Sequence, residues 1–182
     1  GPVEGGDLIQ RELSRLRNAL QYVHDETVKG MNHGKDVHTL MREIVLPPEL
    51  EVGEGYGKVS WSVRAIWENY AGWFHHRSTT ELYDVPAEAV HADLVELAGG
   101  ADVIAERAGE RLGHGDTLEA IHLAEVALSA APNSIAALEV MVAAHEKLEA
   151  ESENFWLTQW LRKQLDGLRS TLGRARKRES ES

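Results

Sequence analysis

Nine histidines are the first residues in this 182-residue sequence that could do chemistry, since imidazole binds metals and carries protons near neutral pH. Their spacing argues against a complete site. His75 and His76 are adjacent, and neighbours on a helix point about 100° apart. His33 and His38 stand five apart across a helix break, which fits no helical ligand pair. The sequence holds no His-x-His-x-Asp-His string, no His-Glu-x-x-His string and no cysteine, so no metal ligand is assigned to it. Nucleophilic catalysis has no better basis, because a Gly-x-Ser-x-Gly elbow and a phosphate-cradling glycine loop are both absent. Glu146, Glu149, Glu151 and Glu153 read as a solvated helix end, because nothing in the local sequence buries them and shifts their titration. No catalytic residue is assigned.

Aromatic residues are the second candidates. Three of the five tryptophans, Trp61, Trp67 and Trp73, fall within Glu54–Phe74. A spacing of six advances a helix by about 600°, so these three cannot share one face. Val59, Val63, Ile66, Tyr70 and Phe74 already form an ordinary apolar stripe, and the tryptophans widen it around much of the helix. Two readings follow: a central core helix, or a helix buried against a second subunit or domain, where Trp and Tyr are enriched. Arg64 and Glu68, at i and i+4, form the narrow polar strip.

The elements that position these residues are helical. From residue 7 to 31 the apolar positions Ile9, Leu13, Leu16, Leu20, Val23 and Met31, with Thr27 in the gap, alternate by four and three and define one long amphipathic helix. Asn32-His33-Gly34 ends it, Asp36 caps a second helix through Ile44, and Pro47-Pro48 ends that one. A loop rich in glycine and proline leads to the aromatic helix, expected over 58–74. Further helices are expected over 88–97, 101–112, 117–130, 135–148 and 154–172, with no run alternating long enough for a strand. The fold class is therefore all-α, a multi-helical bundle. Gly115-Asp116, Glu119-Ala120-Ile121, Ala124, Ala127-Leu128 and Pro132 fall at tetratricopeptide offsets, which makes the C-terminal half tetratricopeptide-like; the plainer alternative is an Ala-rich helical hairpin.

Composition narrows the function. Thirty acidic against nineteen basic residues give a net charge of −11, unsuited to a nucleic-acid partner, and the one basic cluster lies at 174–178. Zero cysteines fit a cytoplasmic location. No apolar run reaches the roughly 20 residues of a membrane span. The opening Gly1-Pro2, without methionine, reads as a cloning remnant or as the edge of a longer chain.

Four ordered segments carry a family resemblance: residues 22–34 (YVHDETVKGMNHG), 46–50 (LPPEL), 56–74 (YGKVSWSVRAIWENYAGWF) and 97–100 (LAGG). Together they resemble the dimerisation domain of alkyl sulfatases in the metallo-β-lactamase superfamily. The resemblance implies an all-helical domain that intertwines two subunits and follows a zinc-binding hydrolase domain. Residues 1–6 then belong to an upstream hydrolase domain or to a cloning remnant. Residues 7–172 form the helical dimerisation domain, with N-terminal helices over 7–98 and repeat-like hairpins over 101–172, and 173–182 is expected as a charged disordered tail. The implied partners are a second copy and the upstream metallo-β-lactamase-type domain. Zinc is expected in that parent domain and no cofactor in this chain, which should be inactive alone. Tyr56 matches a tyrosine associated with the sulfate group, which makes it the implied substrate-binding residue; Arg64 is the second candidate for substrate binding. Leu13, Leu16, Leu20, Trp61, Trp67 and Trp73 are the implied dimer-interface or core residues. Trp61-Ser62 and His75-His76-Arg77-Ser78 depart from the family pattern and mark where a changed substrate would register. The alternative function is a free-standing tetratricopeptide-like adaptor that binds a peptide or partner protein.

Overall fold

A computed structural model describes residues 4–181. Among them are eight α-helices and no strand: α1 (Gly6–Asn32), α2 (Val37–Glu43), α3 (Val59–Ala71), α4 (His91–Ala98), α5 (Ala101–His114), α6 (Thr117–Ala130), α7 (Ile135–Glu151) and α8 (Phe155–Ser180). The helices fall into two compact units, Gly1–Leu82 and Tyr83–Ser182, so the division lies before the 98/101 boundary expected from sequence.

In the first unit, α1 and α2 both pack on α3. The core is Val23, Val37, Leu40, Ile44, Val63 and Trp67. Gly30 permits the closest approach within it, since a Cβ built there would stand 2.2 Å from Leu40 Cδ2. Leu40 is itself fully buried, so its side chain must shift within the core to admit a methyl group. Gly30→Ala should therefore cost about 1–2 kcal/mol, because overpacking outweighs alanine's better helix propensity; urea denaturation checks it, and an unchanged or raised stability contradicts it.

Asp36 caps α2 as its position suggests, its side chain accepting from the His38 and Thr39 amides and from the Thr39 hydroxyl, at 2.7 Å. The Thr39 hydroxyl first, then these amides and the Arg77 guanidinium, hold its carboxyl down from 3.8 to about 2. A carboxyl lowered on folding stabilises the fold above its unfolded value, and that contribution is lost as pH falls toward 2. Asp36→Ala should accordingly lower the melting temperature at pH 6 and flatten its fall between pH 4 and 2; parallel melting curves for both proteins would contradict this.

In the second unit, α4 packs on α5 and α6 at one end, α5 and α6 pack on α7, and α8 packs on α7 at the other end. Alanines make these contacts close: Ala108, Ala120, Ala124, Ala127, Ala137 and Ala144 are completely buried. The charged tail expected over 173–182 is replaced by helix, since α8 continues to Ser180. Leu172 and Ala175 are buried with Leu138 of α7, and three ion pairs join α8 to α7, Arg162–Glu149, Arg169–Glu146 and Arg176–Glu139, each at 2.7 Å. A spacing of seven keeps the three arginines on one side of α8. The residues that looked like a tail are thus tied to the fold by packing that local composition does not reveal.

Candidate dimerisation surface

The long stripe of α1 is one face used in two different ways. Its C-terminal half is spent inside the chain, where Ala19, Val23, Thr27 and Gly30 are buried and the Thr27 hydroxyl donates to the Val23 carbonyl at 2.6 Å. Its N-terminal half has no such cover, and Ile9, Leu13, Leu16 and Leu20 all stand exposed, Leu13 to 60%. Side chains that follow the same 3–4 alternation point the same way, so the open leucines continue a buried surface. Leu13, Leu16 and Leu20 form a shallow trough with Arg17, Gln21 and His24. Beside it is a small cavity of about 110 Å³, lined by Leu16, Leu20, Val23, Val52 and Val59 among others.

His24 closes the trough. Its Nε2 lies 2.8 Å from the Tyr70 hydroxyl of α3 and its Nδ1 lies 3.0 Å from Asp25 Oδ1. Asp25 also accepts from Gln21 Nε2 at 2.8 Å, and the hydrogen bonds from His24 and then Gln21 hold its carboxyl below the ordinary range. This network fixes α1 against α3 at the point where the buried half of the stripe begins.

The aromatic helix differs from expectation in two respects. Helix α3 stops at Ala71, because Gly72 takes φ +68°, so Trp73 and Phe74 lie beyond it. Only Val63 and Trp67 of α3 are buried within the chain, which does not fit the reading of a central core helix. Of the residues expected at an interface or core, Trp67 is core, and its ring meets His75 edge-on at 4.8 Å. Trp61 is partly exposed and Trp73 is 72% exposed, so these two, like the α1 leucines, have no cover within the chain.

Tyr56 sits exposed in the loop before α3, and the Arg64 guanidinium is engaged by Glu68 at 2.9 Å. Among the described residues no three His, Asp or Glu side chains converge to hold a metal ion. Two of the histidines turn instead to their own helices, His33 to the Lys29 carbonyl and the buried His145 to that of Met141. The loop after α3 is organised by Glu81, whose carboxylate accepts from the amides of His75, Arg77 and Ser78. Desolvation pushes that carboxyl up, the three amides more than offset it, and the group ends below its ordinary value. Within this loop His76 adopts φ +58°, the one non-glycine residue described with positive φ.

Residues 36–171 match the alkyl sulfatase dimerisation family. The chain belongs to this family. A linear primary-alkylsulfatase of Pseudomonas sp. (strain ATCC 19151) is 30% identical over 164 residues, covering 87% of this chain and 31% of that protein. A second linear primary-alkylsulfatase, from Pseudomonas sp., is 30% identical over 166 residues, covering 86% and 24%. The solved structure of the stereoselective inverting sec-alkylsulfatase Pisa1 from Pseudomonas sp. superposes with a TM-score of 0.81 at 27% identity, covering 92% of this chain and 27% of that one. The chain thus spans about a quarter to a third of the length of these relatives. As a dimerisation domain of sulfatase-like proteins, it has an all-α architecture, and the leucine stripe of α1 is open in the single chain.

Two features have little signal in the local sequence. Tyr70 lies on the apolar stripe of α3, yet its hydroxyl meets a histidine 46 residues away. Trp156 and Trp160 are both exposed on α8. Their i,i+4 spacing, opposite the Leu161, Leu165 and Leu172 stripe, is the signal that identifies them.

Proposed function

We propose that this chain is the subunit-joining domain of a zinc-dependent alkyl sulfatase-like hydrolase, and that it forms a homodimer through the N-terminal half of α1. The observation that carries the proposal is the α1 stripe, buried in one half and open in the other. Fully burying an aliphatic side chain stabilises by roughly 1.5–3 kcal/mol, and association costs about 4–15 kcal/mol. Four half-exposed aliphatic side chains from one copy would barely meet that cost, whereas four from each of two copies exceed its lower range. A self-complementary contact between two α1 helices is the arrangement that supplies both sets.

Zinc belongs to the catalytic domain of the parent protein, as the resemblance implies; among the described residues of this chain none converge on a metal site, and no step is assigned to them. Tyr56, exposed at the start of the aromatic segment, together with Arg64, helps wall the active site of that domain. The consecutive packing of α5 to α8 through alanines supports a tetratricopeptide-like reading of the second unit.

Size-exclusion chromatography with light scattering tests the proposal. The expected mass at micromolar concentration is twice the 20.2 kDa of one chain. A strict monomer that binds a peptide instead would favour the adaptor function.

A further inference from the structure

The second unit carries two exposed faces of opposite character at its two ends. On the outer side of α8, Trp156 and Trp160 are 60% and 57% exposed, one turn apart. Lys163 places its Nζ 5.9 Å from the centroid of the Trp160 ring. Helical spacing puts Arg174 on this same side, eighteen residues or five turns after Trp156, with Lys177 beside it, 3.8 Å from the Glu181 carboxylate. The arginines that pair with α7 lie on a different side, at positions 162, 169 and 176. This outer face is therefore aromatic for its first two turns and basic towards its end.

At the other end, residues 83–98 are exposed almost throughout, with Val95 the buried residue among them. The stretch from 78 to 106 contains no lysine or arginine. Glu88, Asp93 and Glu96 take part in none of the ion pairs found among the described residues. Val90, Leu94 and Leu97 lie among them, and Leu97, at 84%, is the most exposed of the large hydrophobic residues. This face is acidic and apolar.

We propose that these two faces meet between copies: the aromatic and basic face of α8 in one chain docks on the acidic and apolar segment 83–97 of a second chain. The occupant follows from complementarity of both charge and hydrophobic character. Tryptophans anchored in a patch of leucine and valine supply affinity, and the lysine and arginine charges opposite unpaired carboxylates select the partner and its register. In a chain of net charge −11, a positive stripe is an unusual feature, and the segment 83–97 offers the matching carboxylates with apolar side chains between them. The inference rests on the reading of this chain as a dimerisation domain and adds to the α1 contact a second surface in the other unit.

Photo-crosslinking tests it. A benzoylphenylalanine in place of Trp160, an exposed position that leaves the core untouched, is irradiated in a mixture of isotopically labelled and unlabelled chains, and the adducts are mapped by mass spectrometry. The expected result is mixed-label adducts on residues 83–97, with a yield that falls as salt is raised. Trp160→Ala should weaken association by about thirtyfold, with unchanged circular dichroism. Adducts confined to the same chain, adducts on another segment, or no adducts from a chain that light scattering shows to be dimeric would overturn this inference and leave the α1 reading standing. A monomer at every concentration would remove both.

Discussion

Replacing Leu13 and Leu20 together by aspartate should abolish self-association while leaving the fold intact. Both side chains are more than half exposed in the single chain, so an aspartate at either position stays solvated there. In a dimer the same positions lie against a second apolar stripe, and each copy would bring two carboxylates into it. Burying an unpaired charge is far more costly than losing apolar contact, because the group gives up its hydration without a compensating partner. The dissociation constant should rise by at least about a hundredfold, or roughly 2.7 kcal/mol, with far-UV circular dichroism and melting temperature of the diluted chain unchanged. A double variant that still associates with the wild-type constant would show that α1 is not the contact.

Trp67→Ala should have the largest effect on stability of any single change in the first unit, about 3–5 kcal/mol by urea denaturation. Trp67 is 92% buried, and its ring fills the space between Val63 and the residues of α1 and α2 while meeting His75 edge-on. Removing it leaves a cavity between α1, α2 and α3 that the remaining core side chains fill only in part. Trp67→Phe should cost much less, about 1–2 kcal/mol, because the indole Nε1 is buried without a hydrogen-bond partner and its loss removes an unsatisfied donor. If the two substitutions cost the same, the indole N–H is not an unsatisfied donor.

What could be read from the sequence was what short-range periodicity controls. The α1 stripe, the Asp36 cap and the helices from α5 to α7 follow from spacings of three and four and from the preferences of Asp, Asn and Gly at helix ends. What could not be read was which surface each apolar residue meets. The aromatic segment of α3 is apolar nearly all round, which sets the demand for burial but not its source, and in the single chain only Val63 and Trp67 are covered. Gly72 decides where that helix ends, and a glycine in a helical pattern does not announce whether it takes positive φ. The basic C-terminal run looked disordered because its anchors are distant: Arg176 reaches Glu139, 37 residues earlier.

The same limit applies to the candidate surface. Leu13, Leu16 and Leu20 could be listed from their spacing, but that they are open, while Val23, Thr27 and Gly30 on the same face are buried, required the packing of α2 and α3. The His24 network likewise brings together residues from two helices with no local signature. Arg64, by contrast, sits where an i,i+4 pairing with Glu68 was legible at once.

The distance between two α1 helices in solution distinguishes dimerisation through α1 from association by any other surface. The chain has no cysteine, so Asn18→Cys introduces a single site for a nitroxide label on the side of α1 away from the stripe. Two helices packed face to face have axes about 8–10 Å apart, and labels on their outer sides should give one narrow intermolecular distance of roughly 20–40 Å by pulsed dipolar spectroscopy. That result, lost in the Leu13→Asp/Leu20→Asp background, is what dimerisation through α1 predicts. A chain that is dimeric by mass but shows no intermolecular coupling in this range would contradict it.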